Sequence, residues 1–253
     1  MNGTLVFTHI PKTAGTSLKK SAIFPHVADA DVYRAMGLRK LILDRGQGAP
    51  VVLGHVPYGV HRLLKRPPYH YVTILRDPVD RAVSFYNYVR MCEFGNPGHP
   101  GDHRWHPALP DAKRHPIDEF FQLETYRNAQ AKFTAGFEWR GLRDRMPAGL
   151  RRVAASEDRL LRTAQRNLLH RYWYFGLLDR IGEAEETIAR ALGGEPARTR
   201  DLSRQTTGRV GLVEPTPEQR ERIRQSNAVD VALYEFALAH YDAQAPLALH
   251  HAS

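Results

Sequence analysis

With 253 residues, 42% of them hydrophobic and 25% charged, the chain has the composition of an ordinary globular protein and the length for one α/β domain. Its 36 Lys and Arg against 27 Asp and Glu leave a formal charge of +9, which favours nucleotides, acidic glycans or nucleic acid as partners without choosing among them. One cysteine, Cys92, excludes an internal disulfide. No apolar stretch approaches the roughly 20 residues of a membrane helix, and an apolar strand opens the chain where a cleavable leader would stand, so the reading is a cytoplasmic protein without a membrane span.

In chain order, LVFTHI (5–10) reads as a buried strand, followed by the loop PKTAGTS and a helix over 16–24. A second helix is predicted over 31–43. PVVLGHV (50–56) and YHYVTIL (69–75) read as further strands. Their apolarity is continuous rather than alternating, which points to a parallel sheet covered on both faces. Asp77 suits an N-cap and Pro78 the first position of the helix VDRAVSFYNYVRM. Residues 94–116, rich in Gly, Pro and His, read as a long irregular loop or lid. The pattern over 117–194 is mostly helical, with YWYFGLL (172–178) as another strand. A polar stretch leads to a last helix over 217–241, where Ile223, Asn227, Val231, Tyr234, Leu238 and Tyr241 form a packing stripe. The expected fold is α/β: a single domain over 1–253, its central, mostly parallel sheet flanked by helices, with a P-loop-like strand–loop–helix for phosphate.

The chemistry concentrates in that first loop. Between a strand and a helix N-terminus, unpaired backbone amides and the helix dipole favour an anion. Gly15 permits a close approach, Thr13, Thr16 and Ser17 supply hydroxyls, and Lys12 supplies a point charge. The alternative is a plain βα turn capped by a Thr or Ser. A second constellation follows YHYVTIL: Arg76 emerges at the carboxyl edge of the sheet, where open α/β sheets bind ligands, and Ser84 lies two helical turns further on. The pair can converge on one phosphate; the alternative is an Arg76–Asp80 ion pair with Ser84 facing solvent. Two phosphate-binding elements on one sheet imply a ligand with phosphates at both ends. His55 ends a strand at the same edge and titrates in the range useful for a general base, or is satisfied by backbone beside the Pro-Tyr-Gly turn.

HIPKTAGTS followed by ILRDPVDRAVSFY resembles the signature elements of sulfotransferases that use 3′-phosphoadenosine 5′-phosphosulfate (PAPS), most closely the branch of heparan sulfate 2-O-sulfotransferase and related carbohydrate enzymes. VVLGHVPYG, YWYFGLLDRIGEAEETIARAL, RQTTGR and NAVDVALYEFAL extend the resemblance over most of residues 4–242. It implies that Lys12, Thr13, Ala14, Gly15, Thr16 and Ser17 hold the 5′-phosphosulfate, and that Arg76 and Ser84 hold the 3′-phosphate. Arg204 and Thr206, with Thr207 and Arg209, would close over the nucleotide. His55 would be the base and Lys12 would neutralise the leaving phosphate. The product would be 3′,5′-adenosine bisphosphate (PAP), the acceptor a hydroxyl on a glycan or glycolipid, and no metal would be needed. The heparan enzyme carries another histidine two residues before the base; here that position is Leu53.

Other features have plainer readings. His99, His103, His106 and His115 lack the cysteines or helical spacing of a zinc site and read as a solvated or acceptor-facing lid. NAQAKF (128–133) reads as a solvent-facing helix, with Gln130 and Lys132 touching the acceptor as the alternative. The arginines between Trp139 and Arg171 read as an exposed helix face. Among other functions, a P-loop kinase or phosphotransferase would need GxxxxGK[ST], and a nucleic-acid-binding protein a recognisable module; neither motif is present. Against an inactive nucleotide-binding module stands the presence of both Lys12 and His55.

Overall fold

The computed structural model describes residues 2–35, 38–92, 106–136, 156–197 and 212–250. In chain order the elements are β1 (Thr4–Thr8), α1 (Gly15–Leu18, continued by a π-helical turn over Lys19–Ile23), β2 (Val32–Ala35), α2 (Leu38–Asp44), β3 (Val51–Gly54), β4 (Tyr69–Leu75), α3 (Pro78–Met91), α4 (Leu109–Arg114), α5 (Ile117–Phe120), α6 (Ala129–Ala135), α7 (Glu157–His170), β5 (Tyr172–Leu177), α8 (Ile181–Ala191), α9 (Pro217–Ser226) and α10 (Ala228–His250).

The strands form a five-stranded sheet in the order β2-β3-β1-β4-β5, and every pairing is parallel. Because side chains alternate across a strand, the apolar runs feed both faces. Leu5, Phe7, Val51, Leu53, Val72 and Ile74 pack under the α1 segment and α8; Val6, Val52, Tyr71, Leu75 and Phe175 pack under α6, α7 and α10. Leu53 is therefore committed to the core. A satellite core joins α3, α4, α5 and α9. On α7, Leu160, Ala164 and Leu168 are buried while Arg162 and Arg166 are exposed, which is the exposed arginine face expected there. Asp77 caps α3 by accepting from the Asp80 amide (2.9 Å), with Pro78 in the first turn.

Two predicted elements are corrected. The helix expected over 31–43 is instead strand β2 followed by α2, which starts only at Leu38. Val32 and Tyr33 have the branched and aromatic side chains that suit a pleated surface, and pairing with β3 outweighs the weak helical spacing of so short a run. The helix expected over 217–241 breaks at Asn227. That residue is buried, its side chain donates to the Ile223 carbonyl (2.9 Å) and accepts from the Asn128 amide (2.9 Å), and α10 starts afresh behind it. The 94–116 stretch is also not wholly irregular: α4 lies within it, with Leu109 and Ala112 buried. Among the described residues no helix is long and apolar enough to cross a membrane.

Phe7 is fully buried and Leu43 is 74% exposed. Phe7→Ala is expected to cost about 3–5 kcal/mol in chemical denaturation, and Leu43→Ala no more than about 0.5 kcal/mol. Equal effects would contradict the double-faced core.

Candidate active site

Parallel strands deliver their carboxyl ends to one edge, so strand order decides which residues become neighbours. With β3, β1 and β4 adjacent, His55 after β3, the PKTAGTS loop after β1 and Arg76 after β4 emerge side by side, the loop in the middle. The chain leaves β1 for β2 and β3 on one side and reaches β4 on the other. The crevice beside β1 is thus the switch point of the sheet, the usual ligand position in open α/β folds.

The loop is held in an uncommon conformation. Lys12 (φ 71°) and Ala14 (φ 60°) are left-handed though neither is glycine, a cost of about 1–2 kcal/mol each. Contacts sustain it. Thr13 is fully buried and donates Oγ1 to the Ile10 carbonyl (3.0 Å), so its hydroxyl closes the turn. Ala14 occupies the N-cap of α1 and makes no side-chain cap, so the Thr or Ser cap of the plain-turn alternative is not found. α1 starts directly behind this loop, at Gly15. Thr16 and Ser17 follow in this first turn, half-buried.

Gly15 is required by a close approach. A Cβ there would lie 2.1 Å from Cδ2 of His9. The His9 ring cannot easily yield, because it stacks between Phe7 (5.5 Å) and His55 (4.5 Å). His9 also orients the candidate base: His55 Nδ1 donates to its carbonyl at 2.7 Å. A carbonyl only accepts, so Nδ1 carries the proton and Nε2 keeps a bare lone pair. Crowding by protein pushes the His55 pKa below the ordinary 6.5, the positive charge of Lys19 pushes the same way, and the His9 carbonyl opposes them. His55 as a whole is nevertheless exposed.

On the other side, the Arg76 guanidinium donates through Nη1 to the Lys12 carbonyl (3.2 Å), tying the two signature elements together. The Arg76–Asp80 ion pair of the alternative reading is not formed: Asp80 pairs with Arg220 (2.7 Å), although its charge, with those of Asp77 and Asp179, still favours charged Arg76 against the effect of burial. Ser84 is buried on α3, not solvent-facing. One turn along the same helix face, Tyr88 carries the Lys12 ammonium over its ring at 4.7 Å. Arg81, one turn before Ser84, is also fully buried; Asp230 favours its charge and Arg76 disfavours it, and its Nε and Nη2 make no hydrogen bond.

Two further residues position this edge: Gln130, and Asp230, which nothing in the sequence marks. Gln130 is 1% exposed, which corrects the solvent-facing reading of its helix. Its side-chain amide pairs with the backbone of Arg76 in both directions: Arg76 N–H to Oε1 (3.0 Å) and Nε2 to the Arg76 carbonyl (2.8 Å). Asp230, on α10, accepts from the amides of Gln130 (3.0 Å) and Ala131 (2.7 Å) and so caps α6 from another element. The signal for Gln130 was its place in NAQAKF; Asp230 carried none, since its partners lie about a hundred residues away. Arg204, Thr206, Thr207 and Arg209, like His99 and His103, lie outside the described residues. Among the described residues no group of three or more His, Cys, Asp or Glu is placed to hold a metal. Lys132 is turned to Glu124.

Compared with known proteins, the chain matches no family model and no curated protein at a significant level.

Gly15→Ala is expected to destabilise the protein by about 1–3 kcal/mol, as overpacking does. His9→Ala removes the obstructing ring, so the double variant should lose clearly less than the sum of the single losses in thermal denaturation. Simple additivity would remove the His9–Gly15 contact from the account.

Proposed function

We propose that the chain is a PAPS-dependent sulfotransferase that moves a sulfuryl group to an acceptor hydroxyl, with a carbohydrate or glycan-bearing molecule as acceptor and PAP as second product. The observation that carries this reading is the order along the sheet edge: an oriented imidazole, a strained lysine-bearing loop, and Arg76, with the last two joined by the Arg76–Lys12 bond. The arrangement suits a ligand with phosphates at both ends and a reacting hydroxyl beyond one of them. Lys12, the loop amides and Arg76 bring the concentrated positive charge such a donor needs.

In this reading the loop and Lys12 hold the phosphosulfate end, and Arg76 with Ser84 holds the 3′-phosphate. His55 Nε2 takes the proton of the acceptor hydroxyl. As its oxygen bonds to sulfur, the bond from sulfur to the donor phosphate breaks, and Lys12 meets the charge left on that phosphate. Positioning and charge stabilisation supply the rate, by analogy with phosphoryl transfer.

Thermal stabilisation tests the donor. PAP should raise the melting temperature more than 5′-AMP or ATP–Mg²⁺ at equal concentration. Arg76→Ala should weaken PAP binding roughly ten- to a hundredfold, from about 1.5–3 kcal/mol for a hydrogen bond to a charged group. No preference for the 3′-phosphorylated nucleotide would sink the donor assignment. The pH profile tests the base. Because the folded His55 pKa lies below 6.5, the base stays neutral at pH values where a free histidine has begun to charge. The acid limb of transfer should therefore lie below 6.5 and vanish in His55→Ala with the activity; a limb at or above 6.5 contradicts the assignment.

A further inference from the structure

The stretch entering α4 brings another imidazole to this edge. His106 stands edge-on to Phe85 (5.8 Å) and Tyr88 (5.8 Å) of α3, and Tyr88 is the ring that carries the Lys12 ammonium. His106 thus shares an aromatic neighbour with the donor-side lysine. Partial burial disfavours charge on the His106 ring, and positive charge on His55 disfavours it further.

Hydrogen bonds assign the protons of the two rings oppositely. The Ala108 amide donates to Nδ1 of His106 (3.1 Å), so this nitrogen is an acceptor and the neutral ring carries its proton on Nε2. His55 donates through Nδ1 to the His9 carbonyl, which leaves Nε2 bare. One ring offers an N–H and the other a lone pair, and the chemistry that fits both is a polyol: a hydroxyl to give up a proton and a neighbouring oxygen to accept a hydrogen bond. A monohydric alcohol satisfies only one ring.

We propose that His106 is the second imidazole of the acceptor pocket, donating through Nε2–H to an oxygen adjacent to the hydroxyl that His55 deprotonates, and so selecting acceptors with neighbouring oxygens. The chemical step rests on the sulfotransferase reading; the pairing of the rings does not. Positive charge on His55 acts on His106, Lys19 acts on His55, and the Lys12 ammonium lies over Tyr88.

Imidazole ¹⁵N NMR on the full chain decides the matter. His106 is expected as the Nε2–H tautomer and His55 as Nδ1–H. In His55→Gln the titration midpoint of His106 should rise, because the cation that disfavours its charging is gone. With PAP present, methyl glucoside should move the His106 Nε2 signal, whereas 1-propanol should not. A His106 Nδ1–H tautomer, an unmoved midpoint, or a His106 signal blind to methyl glucoside would each overturn the proposal. PAP-induced stabilisation of His106→Gln separates the two readings: retained at the wild-type level, it leaves the nucleotide assignment standing whatever the NMR shows. Its absence in the wild type would remove the donor while leaving the ring pair to be judged by tautomer and midpoint.

Discussion

The geometry of the edge depends on one buried carboxylate. Asp230 is fully excluded from solvent, and burial pushes its pKa up, while the Arg81 guanidinium and the amides of Ala131 and Gln130 pull it back. Those amides open α6, so Asp230 performs for that helix what a local Asp or Ser would do from the N-cap; the N-cap itself, Asn128, is left-handed and spends its side-chain oxygen on the Asp230 amide (3.3 Å). Asn227 accepts from the Asn128 backbone, so α10 and α6 hold each other reciprocally. With α6 fixed, Gln130 grips the peptide groups of Arg76, and Arg76 grips the Lys12 carbonyl. A chain of directional bonds therefore runs from the C-terminal helix to the loop after the first strand. Asp230 also favours the charge of the buried Arg81 guanidinium, so the carboxyl that aims the site faces a second buried group.

Strain and support are balanced locally. Two left-handed non-glycine residues in one short loop persist only where neighbours over-determine them. Here the neighbours are the Thr13 hydroxyl bond, the Arg76–Lys12 bond and the stacked column of Phe7, His9 and His55 against Gly15. The strain lies at the switch point of the parallel sheet, the usual ligand position in open α/β folds.

Much of this was legible in the residues because it is written locally. Continuous apolar runs gave four strands near their true limits, Asp77-Pro78 marked a helix start, and the loop and Arg76 each followed a strand end. What escaped was set by contacts between distant segments. The four residues of β2 are a strand only because β3 lies beside them. Asn227 looks like one position of an amphipathic stripe, and it interrupts the helix because Asn128 comes to meet it. Gln130 and Asp230 have unremarkable neighbours in sequence, and their roles exist only once α6, α10 and β4 are packed. His106 sits in a run of Gly, Pro and His with no periodicity, and its tautomer depends on a bond to Ala108.

The central claim is that one nucleotide spans the loop and the arginine, and a crystal structure of the PAP complex tests it most directly. The account predicts the 5′-phosphate against the amides of Gly15 to Ser17 and the Lys12 ammonium, with the 3′-phosphate between Arg76 and Ser84, and His55 beyond the 5′ end. A nucleotide bound elsewhere on the surface, or one whose 3′-phosphate points away from Arg76, would contradict it.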